Sequence, residues 1–105
     1  MPKHPINVVL GFDFGMKKIG VAVGQTVTST SSALTILSAQ DGVPRWSDIQ
    51  ALIDEWSPDA FIVGLPLDTN GSFQSITYAA QKFGRKIQSR FKRPIYFVDE
   101  RYTSQ

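Results

Sequence analysis

A chain of 105 residues, 42% of them hydrophobic and 19% charged, has the length and composition of one packed domain, without room for a second. With no cysteine, it excludes disulfide frameworks, thiolate metal sites and cysteine nucleophiles. The net charge of +2 is small, but six of the eleven cations crowd between Lys82 and Arg93 with no acid among them, the footprint of a polyanion partner or of a solvated helix face.

No apolar stretch approaches the roughly 18 residues of a membrane helix. The opening Met-Pro-Lys-His-Pro lacks a secretory pattern, so a cytoplasmic protein is expected. Residues 6–14 read as a buried strand, ending where Gly11 and Gly15 permit close approach and a turn. Residues 19–23 read as a second strand, reached through the tight connection Met16-Lys17-Lys18. After the Thr/Ser-rich stretch 26–32, alternation over residues 33–37 supports a third strand and completes an antiparallel meander.

The texture then changes. Trp46, Ile49, Leu52, Ile53 and Trp56 recur at helical spacing, so residues 45–56 are predicted as an amphipathic helix, with Pro44 suited to its first turn and Ser57-Pro58 ending it. Residues 60–64 are a compact apolar strand, and 65–71 a loop broken by Pro66 and closed by Asn70-Gly71. Phe73, Ile76, Ala79, Ala80, Phe83, Ile87 and Phe91 mark a second helix from about 72 to 90. Gly84 inside it costs about 1 kcal/mol relative to alanine, which predicts close packing there. Residues 94–98 are a last strand, with Asp99-Glu100 at its C-terminal end.

The expected fold is α/β: a mixed five-stranded sheet, three antiparallel strands then two parallel, with helices packed on it. Right-handed crossovers place strand 60–64 beside the first strand and strand 94–98 beyond it. Asp13, the 65–71 loop and Asp99-Glu100 then share one edge, where ligands bind in such sheets.

A lone carboxylate such as Asp13 in an apolar strand is costly unless it is paired, holds a metal or caps the turn at Gly15. Glu100 is the second candidate, and two converging carboxylates would repel unless a divalent cation such as Mg²⁺ or Mn²⁺ lay between them. His4 in the N-terminal tail leaves a Ser-His-Asp triad without a base. Gly15 and Gly20 are spaced like phosphate-loop glycines, but Val21-Ala22 follows instead of Lys-Ser/Thr. The amides of the 64–71 loop either receive a phosphate or form a plain connection. Arg101, Thr103 and Ser104 either bind phosphate oxygens or, through Thr103, cap a following helix. Metal-assisted hydrolysis of a phosphoryl centre is the chemistry left standing.

Three blocks, Asp13-Phe14-Gly15-Met16-Lys17-Lys18-Ile19-Gly20-Val21-Ala22-Val23, Val63-Gly64-Leu65-Pro66-Leu67 and Asp99-Glu100-Arg101-Tyr102-Thr103-Ser104, resemble the signatures of the YqgF (RuvX) family. The resemblance runs over residues 7–105. It implies a ribonuclease H-like fold of the RuvC kind and a nuclease that matures the 5′ end of pre-16S ribosomal RNA or resolves Holliday junctions. By position it implies that Asp13 and Glu100 are the metal-binding and catalytic carboxylates, served by Mg²⁺ or Mn²⁺. Asp99, Arg101 and Thr103 belong to the same signature, while Gly15, Lys17, Gly64, Pro66 and Gly71 shape or line the substrate groove.

With that resemblance, Lys17, Lys18, Arg101, Thr103, Lys82, Arg85 and Lys86 are expected to contact nucleic acid, either structured RNA or branched DNA. A monomer or weak dimer is compatible with the sequence. Members of that family continue past the Asp-Glu-Arg block into another helical region and a late aspartate that completes the active site, so a truncated product keeping fold and nucleic-acid contacts while lacking full activity is expected. The competing reading is a non-catalytic nucleic-acid-binding protein of transcription or ribosome assembly. Nucleotide binding of the sugar kinase, heat-shock or actin type needs a two-domain body that 105 residues cannot supply.

Overall fold

The computed structural model describes residues 7–26 and 28–99. Its elements in chain order are β1 (Val8–Asp13), β2 (Lys18–Gln25), β3 (Thr30–Gln40), β4 (Val43–Pro44), α1 (Trp46–Trp56), β5 (Ala60–Leu65), α2 (Ser75–Phe91) and β6 (Ile95–Asp99). They form one six-stranded sheet in the order β4-β3-β2-β1-β5-β6. β1 to β4 pair antiparallel, and β5 and β6 join parallel to β1, as two right-handed crossovers require.

The sixth strand corrects the expected five. Asp41 and Gly42 both take positive φ, 52° and 80°, as the two-residue turn of a tight hairpin demands. Gln40 then pairs with Val43 and Ala39 with Pro44. Pro44 therefore ends β4 instead of opening α1, whose N-cap is Arg45. The third strand is also longer than the alternation indicated: Thr30, Ser31 and Ser32 pair with Gln25, Gly24 and Val23, although all three are exposed. α2 begins at Ser75, later than predicted.

Period-two alternation sends Leu10 and Phe12 of β1, Ile19, Val21 and Val23 of β2, and Phe61 and Val63 of β5 to one face. Ile49 and Ile53 of α1 and Ala80, Phe83 and Ile87 of α2 cover that face and complete the core. Phe83 is its hub. Its ring lies 5.4 Å from Phe12, 5.5 Å from Phe14 and 6.5 Å from Trp46, centroid to centroid. Gly84 lets the helix lie directly on β6: a Cβ there would stand 2.6 Å from Cε1 of Phe97.

Both helices lie on the core face because both crossovers advance in the same direction across the sheet. The opposite face is paved with small residues, Gly11, Gly20, Ala22 and Gly64 among them. α1 ends in Ser57 and α2 in Lys92, each left-handed with its N–H bonded to the carbonyl four residues back. Arg93 is not a free cation of the basic run. Its guanidinium donates to the carbonyls of Pro58 and Phe91, tying the start of β5 to the end of α2.

Candidate active site

Asp13 is the last residue of β1, and its neighbours are fixed on both sides. It pairs with Gly20 of β2 and with Gly64 of β5, and Gly64 pairs in turn with Val98 of β6. Residues paired in this way share a face, and adjacent strands lie about 4.8 Å apart. The Asp13 carboxylate therefore projects from the face opposite the core, with only glycine flanking it in its own row. It is exposed and makes no hydrogen bond or ion pair with any described residue. Gly11, Asp13, Gly20, Ala22, Thr35, Gly64 and Val98 line a groove of about 640 Å³ across this face.

The turn after Asp13 is close-packed. A Cβ on Gly15 would come within 2.5 Å of the Lys18 carbonyl oxygen, so no larger residue fits without opening the turn. The Met16 and Lys17 carbonyls accept from Gly42 and Ala39, at 2.8 Å each, which props the β3–β4 hairpin against this turn. Lys17 and Lys18 are exposed, and Lys18 shares the Asp13 face by alternation with Gly20.

The 65–71 loop leaves the same rim of the sheet, and four amides from Asp68 to Ser72 are engaged locally. Asp68 N–H donates to the Ser72 carbonyl, Thr69 N–H to Asp68 Oδ1, Gly71 N–H to the Asp68 carbonyl and Ser72 N–H to Asn70 Oδ1. Gly71 turns it at φ 87°. Pro66 anchors it, its carbonyl accepting 2.7 Å from Thr77 Oγ1.

Thr77, the single buried polar residue among those described, escaped the sequence reading. It also accepts from the Gln74 N–H at 3.0 Å, so both sides of its hydroxyl are used. Gln74 and Thr77 close a capping box with the usual residue types exchanged, so the common helix-start pattern does not mark Thr77 in the sequence. Thr77→Val keeps the shape and strands two partners. It should lower stability by about 1–2 kcal/mol, read from the urea midpoint.

The structure brings Asp13, Gly15, Lys17, Lys18, Gly64, Pro66 and Gly71 to one rim, together with Asp99, which pairs with Leu65. Lys82, Arg85 and Lys86 lie on α2, on the core side of the sheet. Glu100, Arg101 and Thr103 lie outside the described residues. Among the described residues no three metal-ligating side chains cluster, and no helix is long and apolar enough to cross a membrane. As a hard oxygen donor, exposed and with no ion pair to a described residue, Asp13 suits Mg²⁺ or Mn²⁺.

Residues 7–105 match the family described as "RuvX: Holliday junction resolvase". The chain is 56% identical over 104 residues to a protein of Coxiella burnetii (strain Dugway 5J108-111) named "Putative pre-16S rRNA nuclease", covering 99% of this chain and 73% of that one. A protein of the same name from Hydrogenovibrio crunogenus is 46% identical, with 99% and 78% covered. Among solved structures, T. thermophilus RuvC in complex with Holliday junction substrate superposes with a TM-score of 0.58 at 18% identity, over 89% of this chain and 64% of that one. The yeast mitochondrial Holliday junction resolvase Ydc2 gives 0.51 at 12%, over 97% and 55%. At such identities the likeness is one of fold, and it is the fold that the signature blocks implied.

Proposed function

This chain belongs to the RuvX family, and from that premise we propose that it is a metal-dependent endonuclease whose substrate is the 5′ end of pre-16S ribosomal RNA, with branched DNA as the second substrate class. The whole chain acts as a single ribonuclease H-like domain in this reading. The observation that carries it is the row Asp13–Gly64–Val98, which leaves a carboxylate beside a groove at the C-terminal edge of three parallel strands.

Asp13 and Glu100 would hold the cation. Glu100 follows β6 directly in sequence, and its assignment rests on the family signature and on the parallel register that delivers β6 to the Asp13 rim. When bound, Mg²⁺ or Mn²⁺ neutralises charge on the phosphodiester and makes water a competent nucleophile near neutral pH. Lys17 and Lys18, exposed beside Asp13, bind the non-bridging oxygens and steer the strand into the groove. Arg101 and Thr103 supply further phosphate contacts. The small residues of the groove floor let a sugar-phosphate chain approach the sheet closely.

Incubation with precursor 16S RNA and with a four-way DNA junction, each with Mg²⁺, with Mn²⁺ and with EDTA, tests this reading. Cleavage near the mature 5′ end that EDTA abolishes is the expected result. Salt-sensitive binding without metal-dependent cutting of either substrate would overturn it in favour of a binding protein.

A further inference from the structure

A second surface lies on the far side of the sheet from Asp13. α2 carries four cations, Lys82, Arg85, Lys86 and Arg90, all exposed, and no acid. With Tyr78 and Trp46 they line one shallow groove of about 630 Å³. The spacing 78, 82, 85/86, 90 keeps these side chains on one stripe of the helix. At 1.5 Å per residue, that stripe runs about 18 Å.

The aromatic residues divide into two kinds. Trp46 is committed: it stacks on Phe83 at 14° and carries the Arg90 guanidinium 4.7 Å above its ring. That contact orders Arg90. Tyr78 is 60% exposed and Phe73 43% exposed, their centroids 5.3 Å apart, and neither belongs to the core. Thr77 holds this start of α2 to the Pro66 carbonyl, just beyond the C-terminal end of β5, so the ring pair stands at the Asp13 end of the molecule.

We infer that Tyr78 and Phe73 form a stacking platform for an unpaired base, and that the cationic stripe of α2 tracks the phosphates of the same strand away from the rim. The substrate flank that leaves the cutting site is then single-stranded. A duplex buries its base faces and would engage the cations alone, leaving the rings without a partner, whereas every unpaired base offers a face to stack. The inference rests on the nucleic-acid reading of the chain but not on its cutting.

Fluorescence anisotropy with the full chain in EDTA, where no cleavage competes, tests it with one labelled RNA presented single-stranded and as a duplex. Tyr78→Ala should weaken single-strand binding about 5- to 100-fold and leave duplex binding within about 2-fold, with Phe73→Ala acting in the same direction and Tyr78→Phe binding as the parent does. Replacing Lys82, Arg85 and Lys86 together with alanine should weaken both forms and reduce the single-strand salt slope by about 2. Equal losses on the two forms, or none with Tyr78→Ala, overturn the platform. Because cutting is never measured, the result stands apart from the outcome of the nuclease assay.

Discussion

Asp13→Asn is expected to reduce metal-dependent cleavage by at least about 100-fold while nucleic-acid binding in EDTA stays the same or tightens. The substitution keeps the shape and removes one negative charge from a rim that must accept both a cation and phosphates. Losing that charge weakens the hold on the cation and relieves repulsion of the polyanion, so the two readouts move in opposite directions. The carboxylate is exposed and has no partner among the described residues, so stability should change by no more than about 0.5 kcal/mol. Cleavage unaffected by Asp13→Asn would remove this residue from the chemistry.

Gly84→Val should cost more than about 3 kcal/mol, a large share of the 5–15 kcal/mol that holds such a domain together. In an open helix, replacing glycine by alanine gains about 1 kcal/mol. Here a Cβ would stand 2.6 and 2.7 Å from Phe97 Cε1 and Cζ, and 3.5 Å from Ile95 Cδ1, so even alanine forces α2 away from β6 or turns the ring. Gly84→Ala is expected to lose about 1–2 kcal/mol in the urea midpoint. Combining it with Phe97→Ala should cost less than the sum of the two single changes, because removing the ring relieves the clash and the new methyl group fills part of the space the ring leaves. A gain in stability from Gly84→Ala alone would show that the ring moves aside freely.

The close approach at Gly84 was legible because a helix interior tolerates glycine poorly, and such a residue signals a neighbour. The strand order was legible for a similar reason: hydrophobic period and crossover handedness leave few topologies. The β4 hairpin is marked in the sequence by its turn residues Asp41-Gly42 alone. A strand of two residues carries no alternation to read, and Pro44 suits a helix start as well as a strand end. The N-terminal third of β3 was obscured by Thr30-Ser31-Ser32, whose exposed side chains lack an apolar period while their backbone still pairs.

At the candidate site, the shared edge follows from strand ends and crossovers, and the family resemblance adds the residues of the first and second signature blocks, which lie at those strand ends. The internal bonding of the Asp68, Thr69, Gly71 and Ser72 amides is not legible in this way, because it depends on how Asp68 and Asn70 fold back. Nor does residue spacing separate Arg93, absorbed by two carbonyls, from its exposed neighbours in the same basic run.

Asp13 belongs to a strand bonded to neighbours on both sides, whereas among the described residues β6 has a neighbour on one side alone. The two halves of the rim therefore differ in stiffness. The β1 half is preorganised, and its amides should exchange with deuterium as slowly as the whole domain opens. The β6 half is where breathing is least expensive, so adaptation to substrates of different girth falls to the edge of the sheet and not to its centre.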